Sequence, residues 1–296
     1  MRELAYEGAL RRWTAARGMG WERLVYDRPS ARGRTVAYRL TPVQRARGVL
    51  VVAHGAGNDA LFAFPGTFKR FLAAGWEVFT FDMDGHGRDS TTVLGADSVG
   101  TAVPDAISRA RAGRDGIPLH AFGVSLGGAL MLHALAAQKA GVDTAALACA
   151  PLRIRFSLRN VLGEFRPPML RTLLQQRPHS GLWGMVPSFG PVKRAVYPLR
   201  LAAARNGAFG YVDALNDLLE ALELPSAATR LRMPVLLAYG TCDRIVPPEQ
   251  GLLLARTIPD ADLMLIPGAT HLTTPFDHRF AARLDRWLAD QATPAA

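Results

Sequence analysis

Cysteine is nearly missing from this chain, which has only Cys149 and Cys242 in 296 residues. Two are too few for a disulfide framework or a zinc site, and both fall near the ends of strand-like segments, so they read as free thiols of a reducing cytoplasm. Long apolar runs are missing as well. The longest, near Leu50 and Leu130, are broken by glycine and histidine well short of the ~18 residues a membrane span needs, which speaks against stable insertion in a bilayer. The first residues mix Arg2, Glu3, Glu7, Arg11 and Arg12 with isolated apolar side chains, so no uninterrupted hydrophobic stretch of a secretory signal is expected. Lysine is scarce too. Only Lys69, Lys139 and Lys193 among the 35 basic residues are not arginine, and the formal charge of +10 is spread over every segment. Without basic blocks or interleaved aromatics, that charge reads as the bias of an arginine-rich proteome rather than as a nucleic-acid surface. No internal repeat or low-complexity tract is visible.

What remains is a soluble globular composition, 49% hydrophobic and 20% charged, long enough for one large domain or a domain with an insertion. Residues 1–18 read as a helix with a loose apolar face, and two short strands follow at Arg23–Tyr26 and Thr35–Leu40, divided by the Pro29–Gly33 turn. Gly48–Ala53 is then a continuous Val/Leu run, the pattern of a strand covered on both faces. Helix Ala60–Ala74, strand Glu77–Phe81, helix Ser98–Ala112 and strand Leu119–Gly123 alternate after it. A third helix, Ala129–Ala140, carries this rhythm to strand Ala145–Ala150, the sixth. Such alternation builds a mostly parallel central sheet flanked by helices, an α/β fold. From Pro151 to Met233 the rhythm stops. Six prolines between Pro167 and Pro198 imply short helices and loops, and Val212, Leu215, Leu219 and Leu222 mark an amphipathic helix. Open α/β sheets bind ligands at the carboxyl ends of their strands, so residues 151–233 are expected to form a helical cap on a core of residues 1–150 and 234–296. A dimerisation or purely structural insertion is the other reading. Strand Val235–Tyr239, helix Glu249–Thr257, strand Leu263–Ile266 and a last helix, with Thr274 as N-cap and Pro275 at its first position, complete the pattern.

The densest chemical signal is Gly123-Val124-Ser125-Leu126-Gly127-Gly128, between a strand and a helix rich in Ala, Leu and Met. A serine on so sharp a turn needs glycines about it, because side chains there would collide with the neighbouring strand and helix. This G-x-S-x-G elbow lifts the Ser125 hydroxyl above the sheet and sets the Leu126 N–H beside it. Glycine-rich strand-to-helix turns also serve packing or phosphate binding, so the other parts of a site must be found. A serine needs a base, and the base needs a carboxylate to orient it. Asp243 follows one post-insertion strand and His271 the next, which brings both to adjacent strand tips. Taken singly, Asp243 reads equally as a turn former or cap of the helix near Pro247, and His271 as a loop histidine. His120 and His133 fall inside elements, His179 in the insertion and His278 on the polar side of the last helix. Asp84 and Asp89 precede the serine. His54-Gly55-Ala56-Gly57, after the first long strand, matches a loop that supplies a second backbone N–H to an oxyanion, with Ala56 as donor beside Leu126 and His54 as support. Asp82–Ser90 reads as scaffold, and His86 has no partners at metal-binding spacing.

Taken together, His54–Gly57, Asp82–Gly87, Gly123–Gly128, Gly240–Arg244 and Gly268–His271 resemble the α/β-hydrolase superfamily over nearly the whole chain. Within it the sequence is similar to the serine-aminopeptidase-like branch that includes monoacylglycerol lipases. Val124 stands where those lipases commonly have His, and Asp89 precedes Ser90 where the turn often ends Gly-x-Ser. The resemblance implies an α/β-hydrolase fold with a helical cap inserted after the sixth strand. It also implies Ser125, Asp243 and His271 as catalytic residues, an oxyanion hole at Ala56 and Leu126, no cofactor and no metal. The implied substrate is a small-molecule ester or acyl compound, handled by a cytoplasmic monomer or homodimer. Phe165, Trp183, Phe189 and Tyr211 would line an apolar acyl pocket or pack as the cap's own core. Arg155, Arg159 and Arg171 would hold a charged substrate end or face solvent. Thioesterase, amidase and acyltransferase share the same machinery, and a non-catalytic small-molecule receptor is the rival from another class.

Overall fold

The computed structural model describes residues 5–28, 33–62, 64–88, 96–137, 141–164 and 208–292. Its centre is an eight-stranded sheet. The strands are β1 (Gly20–Asp27), β2 (Arg34–Thr41), β3 (Val49–Ala53), β4 (Glu77–Phe81), β5 (Leu119–Val124), β6 (Thr144–Ala148), β7 (Val235–Gly240) and β8 (Ala261–Ile266). Their order is β1-β2-β4-β3-β5-β6-β7-β8, with β2 antiparallel to both its neighbours and every later pairing parallel. β3, β4, β5, β6 and β7 are buried along their whole length, whereas β1 and β8 at the edges are largely half-exposed. Burial of both faces explains why β3 and β7 read as continuous apolar runs.

Helices α1 (Ala5–Ala15), α2 (Pro65–Ala73), α3 (Ala96–Arg111), α4 (Leu126–Ala136) and α5 (Leu158–Glu164) come before the undescribed stretch. After it come α6 (Ala208–Ala221), α7 (Leu224–Ala228), α8 (Pro248–Thr257) and α9 (His278–Ala292). On one face of the sheet α1, α2 and α9 contribute Leu10, Phe68, Phe71, Phe280 and Trp287 to a common core. On the other, α3, α4, α6 and α8 contribute Ile107, Leu130, Leu215 and Leu254. α4 is buried all round except at His133, which suits a helix apolar on every side. Among the described residues no helix is long and apolar enough to cross a membrane.

Part of the positive charge is paired with carboxylates of the core. Arg28 pairs with Asp84 and Asp105, Arg39 and Arg114 with Glu77, Arg88 with Glu7, and Arg70 with Asp285. Several expectations shift by local chemistry. The helix expected from Ala60 starts at Pro65, because Asp59 accepts the N–H groups of Leu61 and Phe62 and closes a turn there. Thr274 is not the N-cap of the last helix: Thr274–Phe276 is one 3₁₀ turn, and α9 begins at His278 behind Asp277, whose carboxylate accepts the Arg279 N–H. On α6 the buried stripe runs through Leu215, Leu218 and Leu222, with Leu219 half-buried.

Topology fixes where a site can lie. From β3 the chain passes to β4 on one side, then returns to lay β5 on the other, so the loops after β3 and β5 part from one another. Their crevice is the switch point at which open parallel sheets bind ligands.

Candidate active site

Both loops at that crevice carry the expected motifs. Ser125 caps α4 with φ 52° and ψ −117°, a strained conformation for a residue with a side chain. The surrounding glycines make it attainable. A Cβ on Gly123 would lie 2.7 Å from the Gly127 carbonyl oxygen, one on Gly128 would lie 2.8 Å from Ala150 Cβ, and one on Gly127 would enter the carbonyls of Ala53 and His54. The elbow is thus pressed against β3 with no room for a methyl group, and the Ser125 N–H is held by the Ala148 carbonyl at 2.9 Å.

Across the crevice, a Cβ at Gly55 would sit 3.5 Å from that of Ser125. The His54 imidazole orients this loop. Its Nε2 accepts the Met83 N–H at 3.2 Å, so its proton is on Nδ1, which donates to the Gly55 carbonyl at 2.8 Å. Burial, then the neighbouring His86, push the His54 pKa down to about 3, which keeps the ring neutral and this tautomer intact. In a trans peptide the C=O and N–H point opposite ways. Anchoring the Gly55 oxygen therefore aims the Ala56 N–H away from His54. Neither the Ala56 N–H nor the Leu126 N–H has an acceptor among the described residues, and Leu126 opens a helix whose first N–H groups are free by geometry.

The loops after β7 and β8 supply the other groups. Asp243 is buried and uses its two oxygens differently: Oδ1 accepts the N–H groups of Ile245 and Val246 at 2.9 and 2.7 Å, and Oδ2 accepts His271 Nδ1–H at 2.9 Å. It is thus both a turn former and a partner of the histidine. With its proton on Nδ1, His271 presents a bare Nε2 to the Ser125 hydroxyl, again at 2.9 Å. Burial alone would lower the His271 pKa, but the Asp243 charge and hydrogen bond, with the Glu164 charge, outweigh it and raise the pKa above the ordinary value. The His271 loop is tied down by Thr273 Oγ1, which accepts the Thr270 N–H, and by Thr274 Oγ1, which donates to the Thr270 carbonyl.

Two neighbours carry no local sequence signal. Cys149 is buried with φ 51°, its Sγ 4.0 Å from the His271 carbonyl oxygen. Cys149, Asp243 and His271 present ligand atoms within 4.8 Å of one another. As a metal set they fit poorly: burial, then the Asp243 charge, hold the thiol pKa well above its usual value, and a metal would displace the Asp243–His271 hydrogen bond. Glu164, at the end of α5, was not singled out by the sequence reasoning. Its carboxylate accepts the His271 N–H at 2.8 Å and the Arg244 N–H at 2.6 Å. The other histidines lie elsewhere: His120 bonds Thr144, His133 bonds the Leu222 carbonyl, and His278 is exposed. The residues 82–88 act as scaffold, Asp82 accepting the N–H groups of Ala60 and Arg88. Arg155 and Arg159 are exposed, whereas His179, Phe165, Arg171, Trp183 and Phe189, and the side chain of Tyr211, lie outside what the structure describes.

Comparison with known proteins concerns the chain as a whole. Residues 44–278 match the family described as serine aminopeptidase, S33. A monoacylglycerol lipase of Mycolicibacterium smegmatis is 26% identical over 269 residues, covering 86% of this chain and 88% of the lipase. Among solved structures, a thermophilic esterase from Thermogutta terrifontis has a TM-score of 0.61 at 18% identity, covering 92% of this chain and 100% of its own. The 2-hydroxy-6-oxo-6-phenylhexa-2,4-dienoate hydrolase of Rhodococcus sp. has a TM-score of 0.63 at 19% identity, with coverages of 92% and 99%. At such identities the two structures share the fold.

Proposed function

Because the chain belongs to the serine aminopeptidase S33 family of α/β-hydrolases, we propose that it is a serine hydrolase that cleaves carboxylic esters through an acyl-enzyme on Ser125. The observation that carries this reading is the unbroken hydrogen-bonded path from Asp243 through His271 to Ser125, with both links at 2.9 Å. Along it, His271 Nε2 takes the hydroxyl proton as Ser125 Oγ attacks the ester carbonyl. Negative charge gathers on the carbonyl oxygen, where the N–H groups of Ala56 and Leu126 receive it. The imidazolium then gives its proton to the departing alkoxide, leaving an acyl-serine. Water enters, loses a proton to His271 and attacks the acyl carbon. Collapse releases a carboxylic acid and restores the serine. Asp243 keeps the imidazole in the useful tautomer and balances its transient charge.

An ester is favoured over an amide or thioester by the names of the relatives, a monoacylglycerol lipase and an esterase. The insertion leaves the sheet at the carboxyl end of β6, the edge on which the triad stands, which supports residues 151–233 as a cap over the acyl pocket. Two free thiols fit a reducing compartment, so a cytoplasmic location belongs to the same reading. The test is turnover of a short-chain ester panel and labelling by a fluorophosphonate. The native chain is expected to turn over and label. Ser125→Ala is expected to do neither, with a rate loss of about 10⁶, and equal turnover by both proteins would overturn the proposal.

A further inference from the structure

Glu164 stands out because no cation among the described residues forms an ion pair with it. It is 1% exposed, and both carboxylate oxygens are taken by backbone N–H groups, those of Arg244 and His271. Those two amides belong to different loops. Arg244 directly follows the acid Asp243 in the loop after β7, and His271 is the base itself in the loop after β8. The carboxylate comes from neither loop: it ends α5, inside the stretch inserted between β6 and β7. Its contact with His271 spans 107 positions and that with Arg244 spans 80, so it ties a distant segment to the acid and base at one point.

Resting on the serine-hydrolase reading above, we infer that Glu164 is a positioning residue, a single carboxylate by which the insertion holds the acid-bearing and base-bearing loops together and sets negative charge beside the His271 imidazole. Hydrogen bonds to a charged acceptor contribute more than neutral ones, and a buried carboxylate that loses an N–H partner is costly, so the two amides and the carboxylate fix one another. The charge acts on His271 as Asp243 does, from the backbone side of the residue instead of the ring edge. The polar groups that face His271 from every packed element are Asp243 after β7, Glu164 on α5, the Cys149 thiol at the end of β6 and the Ser125 hydroxyl at the elbow. The Arg244 side chain, exposed, flanks Glu164 near Gly163. Of these, Asp243 and Glu164 both favour the imidazolium, the species present when the transition state forms.

Glu164→Gln keeps the size, removes the charge and turns one acceptor into a donor that opposes a backbone N–H. Glu164→Asp keeps the charge and shortens the reach. In the full chain, the rate of fluorophosphonate labelling and of ester turnover would be followed against pH, and the His271 titration would be read independently by NMR of the imidazole nitrogens. For Glu164→Gln the expected result is a fall in kcat of about 10–100-fold, KM within about twofold, and an acid limb and imidazole titration both moved to lower pH. For Glu164→Asp a fall in kcat is expected with the titration near its native position. A titration unmoved in Glu164→Gln, or a loss confined to thermal stability, would overturn the inference. Failure of both variants to fold, judged by near-UV circular dichroism, would also overturn it, since Glu164 would then be a purely structural residue. The imidazole titration needs no turnover. A native chain that never labels thus sinks the hydrolase reading and the inference built on it, while an unmoved titration in a chain that labels sinks only the role of Glu164.

Discussion

The two halves of the site are held by different forces. On the nucleophile side, the loops after β3 and β5 meet by steric contact: Gly123, Gly127 and Gly128 let α4 pack against β3 and Ala150 with no space for a methyl group. On the acid and base side, the loops after β7 and β8 are held chiefly by polar groups. The Asp243 carboxylate folds its own turn, Thr273 and Thr274 close the histidine loop, Thr241 Oγ1 accepts the Gly268 N–H, and Glu164 bridges the two loops. The two site histidines repeat the contrast. His54, in the steric half, is driven neutral by burial, whereas in the polar half the carboxylates overcome burial and make His271 more basic. A nucleophile must stay in one strained place. A base must change charge during the reaction, and hydrogen-bonded carboxylates accommodate that change better than apolar packing does.

Substitutions can break this contrast on either side. The larger loss of rate should follow Asp243→Asn. The amide still accepts the Ile245 and Val246 N–H groups through its oxygen, so the fold should persist. It presents N–H to His271 Nδ1, however, favours the wrong tautomer and should lower kcat by about 10⁴. Intact thermal unfolding with that loss would separate chemistry from architecture. Gly127→Ala should do the reverse and act first on stability. The added methyl meets the backbone carbonyls of Ala53 and His54, which have no rotamer to yield. A cost of about 1–3 kcal/mol or more is expected, read as a lower denaturant midpoint with activity lost alongside. A midpoint as native would show the elbow to be less tightly packed than the contacts indicate.

The smallest effect, and the sharpest test of the contrast, is in pH. In the proposed mechanism only neutral His271 accepts the serine proton, and its pKa is raised above the usual value of 6.5. The rate should therefore fall as pH drops through that raised pKa. His54, pushed down to about 3, should contribute no second step until far lower pH. A single acid limb is expected in log kcat/KM. In Asp243→Asn, residual activity should show that limb at lower pH, since burial then acts on the ring with less opposition. Two separated steps between pH 5 and 8 would mean that the steric half also titrates.

The steric half was the legible one. Glycines around a serine between a strand and a helix state a local demand, and the structure shows which backbone atoms impose it. The succession of strands along the chain and the place of Asp243 and His271 after the last two are readable for a related reason, since runs such as Val235–Tyr239 keep their pattern wherever they pack. Glu164 was invisible because its partners are backbone amides, which leave no residue type to look for, at separations of 80 and 107 positions. The last helix was misread at its start because Thr274 and Pro275 have the composition of an N-terminus but form a 3₁₀ turn, and Asp277 caps the helix instead. Leu218 and Leu219 show the same limit on a smaller scale. Either fits an apolar stripe, and only the neighbours of α6 decide which turns inward.

β6 and β7 lie side by side in parallel register, Ala145 opposite Val235 and Ala148 opposite Ala238. Because the strands run the same way, the long excursion between them leaves at the carboxyl end of β6 and must cross the length of the sheet to re-enter at the amino end of β7. On the proposed reading, the part of this detour that precedes α6, whose Leu215 and Leu218 belong to the core, can grow or shrink without disturbing any rung of the ladder, which would free substrate choice to drift while the chemistry stays put. Any such change would have to begin beyond residue 164, because the carboxylate there is fastened to the part that must not drift.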